Sequence, residues 1–279
     1  GFEKITAPAT TSVISITPHA TFRGDTSIVL IDLSGDTNST GSNVVDMTAM
    51  SDTGAFEVIG SVGVDTIDAE ETAPTTIKGG QGIDVIDFTG GTTVDILDVT
   101  GAHGTGATLA NNHYDTVANF VLANDFIKLD GDATTVTTSS GAAAVVESEA
   151  IAAANANNIA YDLASALSAD TNALDLVTLT TAVLTNRGNA DLDAGGTIND
   201  GTELLKCLVQ AGASNTAASI TVDNANDTFY ILTDDGTDSY LYFVDSGSDS
   251  NVVAAEIQLV TDFAGVLLDT MGATEVSIA

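Results

Sequence analysis

Residues 79–87 read Gly79-Gly80-Gln81-Gly82-Ile83-Asp84-Val85-Ile86-Asp87, three glycines and an aspartate running into a short β-branched stretch. Glycines let a backbone turn tightly and aim its carbonyl oxygens at one point. A carboxylate at the same turn adds charge, and the two together suit a hard, oxygen-seeking cation. The stretch fits the nine-residue pattern G-G-x-G-x-D-x-U-x, in which a large apolar residue, here Ile86, points into a core while the loop holds calcium. Gly79, Gly80, Gly82, Asp84 and Asp87 are therefore candidate calcium-site residues.

A degenerate copy precedes it, Gly60-Ser61-Val62-Gly63-Val64-Asp65-Thr66-Ile67-Asp68, with Ser61 in place of the second glycine. It adds Gly60, Gly63, Asp65 and Asp68 as candidate site residues. The copies start 19 residues apart, at 60 and 79, close to the length of two nonapeptides. That phase predicts loops stacked on the same side of consecutive rungs, with a site between them. Plain solenoid turns are the alternative, because Gly and Asp favour turns without metal.

The two stretches resemble repeats-in-toxin (RTX) calcium repeats. The segment from Tyr114-Asp115-Thr116-Val117-Ala118-Asn119-Phe120 through Asn124-Asp125-Phe126-Ile127-Lys128-Leu129 resembles the sequence that closes such arrays, with Asp125, Ile127 and Leu129 forming an Asp-x-Ile-x-Leu pattern. The resemblance spans residues 55 to 132 and is one of texture elsewhere. It implies a calcium-stapled β-solenoid. Such arrays carry many tandem copies, whereas this chain has one full copy and one imperfect copy, so the number of sites stays open at none, one or two.

The texture on either side predicts a mainly β chain, a parallel β-solenoid or β-roll with a helical middle segment and a β-rich carboxy-terminal module. Over residues 1–135, short apolar runs such as Ile28-Val29-Leu30-Ile31, Val58-Ile59 and Val94-Asp95-Ile96-Leu97 alternate with Gly, Asp, Asn, Ser and Thr clusters, the mark of short strands at close spacing. Over 136–215 the chain turns to Ala and Leu, as in Ala142-Ala143-Ala144-Val145-Val146. There Ile159, Leu163, Ala166 and Leu167 fall on one helical face. Over 216–279 strands return, and Asp234-Asp235-Gly236-Thr237-Asp238, between Thr228-Phe229-Tyr230-Ile231-Leu232 and Tyr240-Leu241-Tyr242-Phe243-Val244, predicts a hairpin.

A third candidate cation loop follows that hairpin. Residues 245–256 resemble a twelve-residue EF-hand loop, with Asp245, Asp249 and Asn251 at positions one, five and seven and Glu256 at twelve. Gly247 supplies no side-chain ligand at position three, Ser250 stands where glycine makes the sharp turn, and the entering segment reads as strand. An acidic hairpin loop is the alternative reading.

The chain has 279 residues with 39 Asp plus Glu against 6 Lys plus Arg, a formal net charge of −33. This balance excludes nucleic acid and anionic membrane as natural partners, because both would repel it, and favours cations. Apolar residues make up 44%, enough to build a core and to set the chain apart from disordered acidic sequences. The acidic residues are mostly Asp beside Gly, Asn, Thr and Ser, which suits calcium loops better than evenly charged helical surfaces. The single cysteine, Cys207, rules out an intrachain disulfide, so an exported fold would need another staple.

No stretch has the roughly 20 apolar residues of a transmembrane helix. The start Gly1-Phe2-Glu3-Lys4 shows neither initiator Met nor signal-peptide pattern and reads as a cut within a longer chain. The end, Glu275-Val276-Ser277-Ile278-Ala279, resembles a type I secretion signal and is equally compatible with a capping strand.

Catalytic motifs are absent: there is no H-E-x-x-H, no nucleophile elbow and no phosphate loop. His19, His103 and His113 read as loop residues, and the lack of Trp argues against a carbohydrate hydrolase. The chain is read as a non-enzyme: a calcium-stabilised extracellular or cell-surface structural protein that self-assembles into a bacterial surface layer, sheath or filament. The expected partners are further copies of itself and the type I secretion machinery. Two rival readings are the end domain of an RTX adhesin recognising a cell-surface glycan or protein, and the noncatalytic tail of a secreted protease or lipase.

Overall fold

The computed structural model describes residues 4–26, 28–51, 53–89, 92–100, 114–129, 145–148, 161–162, 175–179, 192, 201–207, 219–222, 228–248, 250–268 and 276–278. In its first half the strands are β1 (Lys4–Thr6), β2 (Ser15–Ile16), β3 (Leu30–Asp32), β4 (Ser42–Asp46), β5 (Phe56–Ile59), β6 (Val64–Asp68), β7 (Thr75–Lys78), β8 (Val85–Asp87), β9 (Ile96–Asp98), β10 (Asp115–Ala118) and β11 (Phe126–Leu129), with a short helix α1 (Phe22–Thr26) after β2. The second half adds β12 (Val145–Ser148), β13 (Tyr161–Asp162), β14 (Asp175–Leu179), helix α2 (Gly201–Cys207), β15 (Ile220–Thr221), β16 (Thr228–Asp234), β17 (Ser239–Asp245), β18 (Asn251–Val252), β19 (Ile257–Ala264) and β20 (Val276–Ile278).

The protein is mainly β with parallel sheets. Strands β1, β3, β5, β7, β9 and β11 line up in one sheet, and β2, β4, β6, β8 and β10 in a second, so the chain alternates between the two as it advances. Every adjacent pair within these two sets is parallel. Short strands suffice because each has a neighbour one rung on: Val45 pairs with Ile67 and Ile67 with Ile86, and all three side chains are fully buried. Facing them across the core are Ile31, Val58, Ile77, Leu97 and Ile127 from the first sheet. The inward position recurs at every second residue of each strand, the period at which strand side chains change face.

The second half extends the second sheet. Strand β19 pairs in parallel with β10, and β17 and β16 then add antiparallel neighbours, giving the order β12-β14-β16-β17-β19-β10-β8-β6-β4-β2. The expected hairpin is present, with Thr228–Asp234 paired to Ser239–Asp245 across a turn closed by the Asp235 N–H to Asp238 carbonyl bond. Its strands are buried on both faces. Tyr230 and Leu232 join the main core, whereas Phe229, Ile231, Tyr240 and Tyr242 form a second one with Leu204 and Leu205 of α2. Strand β20 returns to pair with β11.

The helical middle segment is not evident. Of residues 136–215, the described ones form strands β12, β13 and β14 and only the seven-residue helix α2. Val145 and Val146, read from composition as helical, lie in a strand paired with Asp175 and Leu176, and β14 in turn pairs with β16. The sheet offers β14 backbone partners on both sides and β12 on one, which overrides the modest helical preference of the surrounding Ala and Leu. Ile159, Leu163, Ala166 and Leu167 lie outside the described residues.

Among the described residues no helix is long and apolar enough to cross a membrane.

Candidate metal centre

The two glycine-aspartate loops stack as their spacing predicts. Thr66, Ile67 and Asp68 are register partners of Val85, Ile86 and Asp87, and the loops leading into β6 and β8 lie one over the other. A side chain on Gly60 would collide with the Gly79 carbonyl, one on Gly80 with that of Ser61, and one on Gly82 with that of Gly63. Gly80 and Gly82 also have φ of +103° and +133°, backbone conformations that side chains disfavour.

One rung earlier, an uncopied loop from Asp36 to Asn43 joins the stack. Asn43 is the register partner of Asp65, and the Asn38 carbonyl packs against Gly63. One rung later, Thr116 pairs with Val85, placing Asp115 beside Asp84. The strand starts thus carry an inward row of Asn43, Asp65, Asp84 and Asp115, all buried. Its members are tied by backbone-to-side-chain bonds up the stack. The Asp65 N–H donates to Asp84 Oδ1 at 2.8 Å and the Asp84 N–H to Asp115 Oδ1 at 3.2 Å.

The members of this row differ in how their charge is met. Asp65 Oδ2 accepts the Ser61 N–H at 2.6 Å and the Ser61 hydroxyl at 2.9 Å. The Asn43 amide donates to Ser61 Oγ at 3.1 Å and to Asp36 Oδ2 at 3.0 Å. The degenerate copy is therefore closed by hydrogen bonds from the serine that breaks the motif. The full copy has Gly80 at that position and no hydroxyl to offer. Asp84 is fully buried, and its Oδ2 has no hydrogen-bond partner.

A Cβ on Gly79 would lie 2.5 Å from Asp84 Oδ2 and 2.6 Å from Asp115 Oδ2, so both oxygens converge on the space over that glycine. Two carboxyl oxygens facing one another in a dry site attract only when a proton or a cation lies between them. Burial accordingly holds the Asp84 carboxyl far above the usual carboxylate range, with the Asp115 charge adding to it. Burial likewise raises Asp115, partly offset by the Asp84 N–H that donates to it. Asp65 is raised by burial too, partly offset by Ser61 and Asn43.

Among the described residues no three His, Cys, Asp or Glu side chains gather into a cage of their own. A hard cation over Gly79 would complete its shell from backbone carbonyls, which calcium accepts readily. Asp84 and Asp115 fit that role by donor type and burial.

The remaining candidates are dispersed. Asp68 and Asp87 face outward in a row with Asp46. Asp87 Oδ1 accepts the Thr89 N–H at 2.7 Å and the Asn119 amide at 2.7 Å. Burial and then the charges of Asp46 and Asp87 raise Asp68. On the other sheet Lys4 pairs with Asp32 at 2.6 Å and Lys128 with Asp98 at 2.8 Å. In both cases burial pushes the aspartate up, and the lysine together with the hydrogen bonds from Ser34 to Asp32 or from Thr100 to Asp98 outweighs it, leaving the carboxyl lowered. In the loop at 245–256, Asp245 Oδ1 accepts the Gly247 N–H at 3.0 Å and Glu256 Oε2 the Val253 N–H at 2.8 Å, with Glu256 Oε1 reaching toward Gly247. Asn251 lies in β18, exposed and paired with Thr221, and the loop is entered from strand β17. Asp249 lies outside the described residues, as do His103 and His113.

Sequence reading missed Asp115, which belongs to no glycine motif. Its one signal is its place two residues before Val117, matching Asp84 before Ile86.

No family model matches this chain, and neither a curated protein nor a solved structure shows significant similarity to it.

Proposed function

We propose that the alternating parallel strands of residues 4–129 form a calcium-stapled β-solenoid, and that the chain is a structural component of an exported bacterial surface protein, assembling into a layer, sheath or filament. The observation that carries this reading is the buried Asp84 carboxylate. It lies in the full glycine loop, lacks a donor at Oδ2, and converges with an Asp115 oxygen on the space over Gly79.

Calcium there neutralises two buried anions and ties rung to rung. Where calcium is scarce, as in a cytosol, those anions oppose folding and keep the chain in an export-competent state. Where it is abundant, binding and folding proceed together. Paired sheets that end in strands β1 and β2, both without an outer neighbour among the described residues, give such a coil an end on which further copies can stack. At −33, copies repel unless cations intervene.

The test is a calcium titration of chelator-treated protein followed by circular dichroism and light scattering. Ordering together with growth of regular particles is the expected result. Ordering without growth would favour the adhesin-domain or secretion-tail readings, and no response in either signal would refute the calcium reading.

A further inference from the structure

The inward row does not stop at Asp115. Its next member is Thr261 of β19, the register partner of Asp115, contributed by a strand 146 residues further along the chain. Thr261 is fully buried, and its Oγ1 has no hydrogen-bond partner. A threonine hydroxyl can rotate to find a partner, and leaving one buried without any is unfavourable. Asp115 thus stands between two neighbours, Asp84 and Thr261, each with a buried side-chain oxygen that has no hydrogen-bond partner.

Resting on the calcium reading above, we propose that Thr261 supplies a neutral hydroxyl ligand to the cation held by Asp84 and Asp115, so that the ion clasps the carboxy-terminal sheet to the glycine-loop coil. Calcium takes six to eight oxygens of mixed kind, and hydroxyl, carboxylate and carbonyl donors serve together. Neighbouring strands lie about 4.8 Å apart, so Asp84 and Thr261 flank Asp115 at one strand spacing each. Aromatic packing continues the same junction: Phe88, Phe120 and Phe263 run edge to face at centroid separations of 6.1 and 5.1 Å. Filling the site closes the loop between residues 115 and 261, so the ion stabilises the junction as well as the rung.

The experiment compares the full chain with Thr261→Val and Thr261→Ser, by calorimetric calcium titration and by melting temperature in chelator and in calcium. Valine keeps the shape and removes the oxygen; serine keeps the oxygen. The expected result is at least a tenfold loss of affinity at one site in T261V, with a melting temperature in chelator equal to or above that of the parent, and recovery of affinity in T261S. Parent-like affinity and stoichiometry in T261V would overturn the proposal. So would an equal loss of stability in chelator and in calcium, the behaviour of a hydroxyl with a purely structural role. A parent protein that binds no calcium would refute the calcium reading itself, before any comparison of variants.

Discussion

The backbone N–H of Asp84 donates to Asp115 Oδ1 at 3.2 Å, while the remaining oxygen of each carboxylate converges on the space over Gly79. The same two residues are bonded as a rung contact and opposed as charges. Removing the opposition without the bond separates the two effects. Asp84→Asn is expected to raise stability in chelator at pH 8 by roughly 1–3 kcal/mol, because the fold no longer has to keep a buried acid protonated at a pH where the unfolded chain ionises it. The variant should also lose the calcium-induced rise in melting temperature. Thermal melts with and without calcium check both halves.

Stability in chelator should fall as pH rises. Burial, with Asp125 close by, holds Asp95 up at about 6; Asp84 is raised further by burial and the Asp115 charge, and Asp115 by burial. Such carboxyls favour the fold while protonated. Their contribution is complete below the unfolded value of about 4 and disappears as pH climbs through the folded values. Urea midpoints should therefore be lower at pH 8 than at pH 5 in chelator. Saturating calcium should flatten the difference, since the ion takes the place of the protons. A midpoint that rises with pH in chelator would contradict the assignment.

Ser61→Gly converts the degenerate loop into the full pattern. It removes the hydroxyl that donates to Asp65 and accepts from Asn43, which should cost about 1–2 kcal/mol in chelator. In calcium the loss should be recovered through one additional bound ion per chain, counted by calorimetry.

Phe263→Ala tests the junction. Its ring packs on Phe120 at 5.1 Å and is fully buried, so truncation should cost about 3–5 kcal/mol. Urea unfolding followed by far-ultraviolet circular dichroism should show the β10–β19 contact released at lower denaturant than the glycine-loop coil, with two transitions replacing one.

Much of the architecture was legible because it is local. The Gly60 and Gly79 loops, their 19-residue phase, the short β-branched runs and the Asp234–Asp238 turn each depend on neighbours within a few residues, and each forms as those residues dictate. Two described segments of the middle form strand where helix was expected, for the converse reason. Val145–Ser148 and Asp175–Leu179 carry a composition that suits either helix or strand, and the choice was made by the sheet edge that β16 offers.

For the site, the sequence by itself determined that Asp84 sits at a glycine turn one rung above Asp65. Only the tertiary structure decided which of the two remains unsatisfied. Ser61 and Asn43 close Asp65 from 4 and 22 residues away, whereas Asp115 reaches Asp84 from 31 residues away and Thr261 joins Asp115 from 146 residues away. A buried charge is set by what surrounds it in space, and parallel stacking brings together residues whose separation along the chain follows no fixed period.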